Sequence, residues 1–281
     1  MKPLKFYKKY FRSQIRKRIL GPHAVGIIYD SKNGLISMSL EDVIIGKHLG
    51  FKGNWGIEEV ENLLELVSEE DSIYVIGTHV GTTLIPLAKK AKHVVGYEAN
   101  PTTYQYLEIN KDLNKLSNVN LFNLAVGDEA KKISFYQNTI NSGASKIRPV
   151  KEFKLYTYDS PNVVEVDMVT IDDHIKAANL PAPTGAVIDI EGAEYFALKG
   201  MQSYLQSMKF LYIEFIAHHL QYVSSVSIEE FLGLITPHFT KVKSKNGNKI
   251  YDISKTTGDL IEYCQYLFET NKSDDFLFTK D

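Results

Sequence analysis

Residues 72–101 read SIYVIGTHVGTTLIPLAKKAKHVVGYEANP, and this stretch decides the fold. Ser72–Ile76 (SIYVI) and His93–Tyr97 (HVVGY) are apolar runs of strand length. Between them Thr82–Ala91 has helical composition, with Pro86 tolerated only in a first turn or at a bend. Runs that are apolar on both faces predict buried parallel strands joined by a right-handed crossover. Pro101–Leu116 follows as a helix with its proline at the start, and Val119–Leu124 as a third strand. This alternation predicts an α/β fold with a parallel sheet.

In such sheets ligands bind at the carboxyl ends of the strands. Gly77-Thr78-His79-Val80-Gly81 lies at the end of the first strand, where the two glycines let backbone amides approach a ligand. Glu98 closes the second strand, 21 residues after Gly77. An acid so placed can accept hydrogen bonds from both hydroxyls of a ribose that carries no phosphate. Beyond the third strand, Ala125–Glu129 brings backbone amides and Asp128 within reach of an adenine edge. Ala186–Ile190 is the fourth core strand, and Asp189-Ile190-Glu191-Gly192-Ala193-Glu194 begins at its end. Burying an unpaired charge is costly, so three carboxylates in six residues point to chemistry more than to core filling. Phe210–Phe215 is a fifth strand containing Glu214, and His218-His219 follows within reach of an acceptor pocket. An adjacent histidine pair without a third ligand predicts no metal site.

Outward from this centre the pattern loosens. Lys132–Tyr136 reads as an inserted strand, Asn138–Ser145 as a polar loop able to reach over a ligand, and Lys146–Pro161 as aromatics alternating with charges. Val163–Asp167 resumes a strand before a short helix at Thr170–Ala178. Gly192–Leu205, Ile228–Ile235 and Leu260–Phe268 predict helices. Phe239–Lys243, Lys249–Ile253 and Phe276–Phe278 predict late strands. Ahead of the core, Ala24–Tyr29 and Leu35–Leu40 flank a hairpin turn, and a glycine-rich loop around Trp55 leads to a helix at Ile57–Val67. The expected division is a basic helix and small strand-bearing extension over 1–56, then the main domain over 57–281.

Residues 1–20 hold eight Lys or Arg and no acid, which leaves 24 basic and 34 acidic residues beyond them, a balance of −10. The acidic body carries no general nucleic-acid footprint. Leu4, Tyr7, Phe11, Ile15 and Ile19 recur at helical spacing. That stripe can pack on the body or on a second copy of the chain, or enter a lipid interface while the basic face meets anionic headgroups. The start lacks the apolar stretch of a secretory signal, no 18-residue apolar run is present, and the single cysteine, Cys264, fits a reducing compartment. The expected location is cytoplasmic, with peripheral membrane contact as an option.

At GTHVG, YEANP, NLAVGDE and DIEGAE, over roughly residues 50–215, the sequence resembles the FkbM-type family of S-adenosylmethionine-dependent methyltransferases. The resemblance implies a Rossmann-like class I methyltransferase fold with a seven-stranded, mostly parallel sheet and an antiparallel final strand. It also implies S-adenosylmethionine as cofactor and transfer to a hydroxyl of a sugar, glycan or other small metabolite. Gly77 and Gly81 match the family's D-x-G-A-N-x-G loop, with Thr78 and His79 at its Ala-Asn positions. Glu98 matches the ribose-binding acid, Asp128 the acid near adenine, and Asp189, Glu191 and Gly192 the D-x-E-G segment beside the methyl. The chain departs from the pattern at Val75, where the family has Asp, and at Val187, where it often has Lys.

An alcohol loses its proton as it is methylated, so a carboxylate or imidazole beside it can act as general base. Asp189 is the expected base, Glu191 the group that orients base or acceptor, and His218 a further catalytic candidate. Two other functions fit the crevice: a nonenzymatic nucleotide or small-molecule binding module, and an NAD-dependent oxidoreductase. Cofactor identity and methyl turnover separate the three.

Overall fold

A computed structural model describes the backbone of residues 4–280, apart from 152, 154, 155 and 157–160, and side chains at 11 and from 13 onward within that range. The core is an eight-stranded mixed sheet. Its central strands are β3 (Ser72–Ile76), β4 (His93–Tyr97), β5 (Val119–Phe122), β10 (Gly185–Ile188) and β11 (Phe210–Ile216), all parallel. The full order is β13-β12-β14-β11-β10-β3-β4-β5, where β12 is Lys241–Ser244, β13 Lys249–Asp252 and β14 Ser273–Thr279. The expected seven-stranded sheet is therefore corrected to eight. The antiparallel late strand is present as β14, but the Asn246-Gly247 turn folds β13 back on β12 and adds one more antiparallel strand at the edge.

Both faces of the sheet are covered, which is why β3 and β10 are buried along their whole length. Alternate residues serve opposite cores. Tyr74, Ile76, Ala186, Ile188, Leu211 and Ile213 pack with helices α6 (Ile171–Ala177), α7 (Glu194–Lys199), α8 (Gln202–Leu205), α10 (Ile228–Gly233) and α11 (Ile253–Glu269). Ile73, Val75, Val94, Val187 and Phe210 pack with α2 (Ile45–Lys52), α3 (Ile57–Leu66) and α4 (Leu84–Ala88). The hairpin of β1 (Gly26–Ser31) and β2 (Gly34–Ser39) closes this second core, and α5 (Pro101–Leu113) lies against β2. Between β5 and α6 the chain inserts a second sheet of order β6-β9-β7-β8, made of Ala125–Val126, Asn162–Val169, Lys131–Gln137 and Lys146–Ile147. The short α9 (Ala217–His219) follows β11.

Two helices are shorter than their composition predicts, for local reasons. Pro86 has no N–H to give to the carbonyl of Thr82, and that carbonyl instead accepts Asn33 Nδ2 at 2.8 Å. The extension is thereby pinned to the start of α4, and Asn110 fastens α5 to Ser37 of β2 in the same way. The helix expected over 192–205 breaks into α7 and α8 at Gly200 and Met201, whose φ/ψ of −82/3 and −132/17 leave the helical region, and Gly200 there passes so close to Gly127 that a Cβ would stand 1.9 Å from its carbonyl oxygen.

Helix α1 (Leu4–Leu20) meets the body through its polar side. Ser13 is buried, Arg16 Nη1 donates to the Asp42 carbonyl at 3.0 Å, and Lys17 pairs with Glu41. Phe11, Ile15 and Ile19 face outward, 66%, 41% and 76% exposed, so the described part of the apolar stripe does not pack on the body. The side chains of Leu4, Tyr7, Lys8, Lys9 and Arg12 lie outside the described residues, as do several residues of the 146–161 stretch. Among the described residues no helix is long and apolar enough to cross a membrane.

Candidate active site

A cavity opens at the carboxyl ends of β3, β4, β10 and β11, roofed by the loop 141–145 and flanked by Ile44, Ile45 and Trp55. The β3 loop forms its floor. Gly77 has φ +88, and a Cβ there would fall 1.8 Å from the carbonyl oxygen of Asp189, so the close approach this glycine permits is between the ends of β3 and β10. The amides of Gly77 and Thr78 donate to the Tyr97 carbonyl at 2.9 and 3.1 Å, which fixes the turn against β4.

Glu98 projects into one side of the cavity. Its Oε2 accepts the His79 amide and its Oε1 the Asn100 amide, each at 2.8 Å. Burial pushes its pKa up to about 7 although both amides favour the charge. No lysine or arginine lines the cavity among the described residues. A carboxylate held by two N–H groups keeps lone pairs free, which suits two hydroxyl donors and disfavours a phosphorylated ribose. On this observation Glu98 fits the ribose of an adenosyl cofactor.

His79 has a left-handed backbone (φ +52), which frees its amide for Glu98. Its ring serves the roof. Ser142 Oγ donates to Asp42 Oδ2 at 2.7 Å and so accepts from His79 Nε2, also at 2.7 Å. Asp42 is fully buried and its other oxygen accepts the amides of Ile44, Ile45 and Gly46. Burial holds the His79 pKa below the usual histidine range against the Asp42 charge, in keeping with a neutral ring.

The opposite side of the cavity is a group of acids. Asp189 follows β10, and Glu214 on β11 is hydrogen-bonded to it. Asp189 is exposed into the cavity, where the surrounding protein still limits its contact with water. Burial, then the charges of Glu191 and Glu194, push its pKa well up, and Glu214 is raised by burial and by Asp189 itself. Such a pair retains one proton between its two carboxyls. Glu194 acts on the backbone instead. It is buried at the start of α7, where its Oε1 accepts the amides of Ile190 and Gly192 at 3.0 and 3.1 Å. This clamp brackets Glu191, which lines the cavity in a left-handed conformation (φ +56) and pairs through Oε2 with Lys146 Nζ at 2.9 Å. Glu191, Glu214 and His219 bring ligand atoms within 4.8 Å of one another, with the Lys146 ammonium against two of them.

Gly77, Thr78, His79, Glu98, Asp189 and Glu191 are thus gathered in one cavity. Gly81 (φ +95) ends the loop against Leu107 and Ile85. Asp128 is not brought there: its carboxylate pairs with Lys199 at 3.0 Å. His218 is packed between Phe153, Tyr156 and His219, outside the cavity lining. Sequence reasoning assigned no role to Lys146, Asp42 or Ser142, and named His219 only as one of a histidine pair near the acceptor pocket. It noted Glu214 without a role, although an acid at the carboxyl end of a buried strand was the usable signal.

The "Methyltransferase FkbM domain" family profile matches residues 76–249. The chain belongs to the FkbM methyltransferase family. The hexuronic acid methyltransferase AglP of Haloferax volcanii is 28% identical over 152 residues, 54% of this chain and 59% of that protein. A tRNA(Phe) (4-demethylwyosine(37)-C(7)) aminocarboxypropyltransferase of Methanocaldococcus jannaschii is 34% identical over 114 residues, 39% of this chain and 45% of that one. These alignments span about half the length of the curated relatives. Among solved structures, the methyltransferase FkbM of Methylobacillus flagellatus KT aligns over 75% of this chain and 44% of its own, at 17% identity and a TM-score of 0.40.

Within this family pattern the two departures form one feature. Val75 and Val187 are register partners on β3 and β10, 1% and 5% exposed and in the same apolar core. Two apolar residues thus stand side by side at the positions where the resemblance implies an acid and, often, a lysine, and no unpaired charge is buried there.

Proposed function

We propose that this chain is an S-adenosylmethionine-dependent O-methyltransferase acting on a hydroxyl of a sugar, glycan or other small metabolite. The observation that carries this reading is one cavity with Glu98 on one side and the Asp189, Glu191 and Glu214 group on the other. The relative named a hexuronic acid methyltransferase supports a sugar-derived acceptor. When bound, the cofactor supplies an electrophilic methyl on a positively charged sulfur. Glu98 accepts the ribose hydroxyls. With the resident proton of the pair on Glu214, ionised Asp189 takes the acceptor's proton, which leaves both carboxyls protonated, while Glu191 orients the acceptor. The roof loop, latched through Ser142, His79 and Asp42, limits water in the cavity.

Calorimetry without added metal should show S-adenosylhomocysteine bound in preference to NAD. Labelled methyl transfer into fractionated cell extract, with mass spectrometry of the product, should then identify the methylated hydroxyl. Tighter binding of NAD would replace the proposal by the oxidoreductase reading, and cofactor binding without any turnover by the binding-module reading. For α1, the outward Phe11, Ile15 and Ile19 beside a cationic segment support peripheral contact with an anionic membrane surface. Vesicle binding that is unchanged by deletion of residues 1–20 would remove that role.

A further inference from the structure

Lys146 occupies a two-residue strand and is 4% exposed. Its neighbours Ser145 and Ile147 line the cavity, and strand alternation turns Lys146 to the other side. There Nζ donates to Glu191 Oε2 at 2.9 Å, lies 3.4 Å from His219 Nε2, and stands 4.6 Å from the centroid of the Tyr156 ring. His219 and Tyr156 are buried, so the Lys146 ammonium is shielded from water and its charge is held by its partners, while Glu191 keeps one side toward the cavity.

Glu191 is fixed from two directions. The Glu194 clamp imposes its left-handed backbone, a conformation that a residue with a side chain adopts at a cost and that structures keep mainly where it is used. Lys146 then fixes the end of the side chain through Oε2. Among the described residues no group is bonded to the other oxygen, Oε1, and Glu191 lines the cavity beside Asp189.

We propose that Lys146 is the positioning residue of the acceptor side: by holding Glu191 Oε2 it presents Oε1 as the hydrogen-bond acceptor for a hydroxyl of the substrate, and so aims the reacting oxygen at Asp189. The inserted sheet thereby contributes to acceptor geometry through a residue that is not itself in the cavity lining. This rests on the methyltransferase reading above, and the test separates the two.

Steady-state methyl transfer is measured for the wild type and for Lys146→Met, Glu191→Gln and the double variant. Serial dilutions of the extract fraction that the wild type methylates serve as acceptor, and S-adenosylhomocysteine affinity is followed by calorimetry. Lys146→Met should lower kcat/KM for the acceptor roughly 30-fold to 100-fold, while S-adenosylhomocysteine affinity stays within about threefold. In the Glu191→Gln background the same change should cost nothing further, because Lys146 acts through Glu191. If the unpaired Glu191 carboxylate prevents Lys146→Met from folding, Glu191→Gln and the double variant, in which Glu191 leaves no charge at the vacated position, carry the comparison. Acceptor kinetics within threefold of wild type in Lys146→Met, an equal loss of cofactor affinity, or a further loss in the double variant would overturn the proposal. A wild type that binds S-adenosylhomocysteine weakly or transfers no methyl overturns the underlying reading instead.

Discussion

The two sides of the cavity are both acidic but are built differently. Glu98 is a single carboxylate steadied by two backbone amides, one from the β3 loop and one two residues further along its own chain. The facing group draws Asp189 and Glu191 from the β10 loop and Glu214 from β11. It is balanced by Lys146, which arrives from the inserted sheet 45 residues before Glu191. Backbone donors fix the first side before any side chain is chosen. The second depends on charges from distant segments, and its electrostatics change whenever one of them does. The difference suits the two proposed roles, cofactor binding on the first side and acceptor binding on the second.

The largest effect should come from the side-chain-built half. Asp189→Asn removes the proton acceptor while keeping size and hydrogen bonding to Glu214, so single-turnover methyl transfer should fall by roughly 10²- to 10³-fold. S-adenosylhomocysteine binding should change little, because Glu98, the proposed partner of the ribose, lies on the opposite side of the cavity. Rapid-quench turnover at saturating ligands, with binding measured separately, decides the matter. Near-wild-type kinetics would move the base assignment to Glu191.

Beneath both sides lies the Val75 and Val187 pair, which sharpens the comparison because it joins the strands that carry the two loops. Val75→Asp places an unpaired carboxylate in a buried strand and should destabilise the fold by about 3 kcal/mol or more. Adding Val187→Lys should recover about 1 kcal/mol or more through pairing. Urea unfolding of both singles and the double gives the coupling. A double variant as unstable as the sum of the singles would show that the two positions are independent.

The same division explains what the sequence made legible. Gly77, Glu98 and Asp189 could be located because each sits at a strand end that apolar runs announce, and chain order alone puts those ends side by side. Lys146 could not, because it lies in a strand too short for periodicity; His219 could be placed after β11, but its meeting with Lys146 follows only from the inserted sheet folding over the β10 loop. Glu194 was legible as an acid at a helix start, but its grip on two amides follows from the left-handed turn at Glu191, which no pattern marks. Asp128 shows the reverse. Its spacing suited an adenine contact, yet Lys199 on α7 holds it. The eighth strand was visible as a run, and what composition lacked was its pairing on the outer side of β12.

A smaller effect is expected from the backbone-built half. Glu98→Ala removes two charge-assisted hydrogen bonds to the ribose and should weaken S-adenosylhomocysteine binding roughly 30-fold. Acceptor KM, measured at saturating cofactor, should hold. A variant that binds the cofactor normally would take Glu98 out of the ribose role.

The smallest effect is a pH dependence of the same contact. In the free folded protein Glu98 carries a pKa of about 7, above the ordinary glutamate value of 4.5, so between those limits the folded state binds more protons than the unfolded chain. Its contribution to stability is therefore present below pH 4.5 and lost as pH rises through 7, and Glu194, also raised to about 7 by burial, acts with the same sign. Ligand binding runs the other way, since ribose hydroxyls donate to the ionised carboxylate. S-adenosylhomocysteine should bind more tightly as pH rises from about 5 to about 7, by about tenfold in all, and level off above that range. Calorimetry in two buffers of different ionisation enthalpy should show a proton released on binding at about pH 6 and none at about pH 8. Glu194 faces the amides of Ile190 and Gly192 and not the ribose side, so the slope should vanish in Glu98→Gln while Glu194 is still present. An affinity that is flat across this range in the wild type would mean that the ribose is held by backbone groups alone, and the contrast between the two sides of the cavity would then be sharper than the carboxylates suggest.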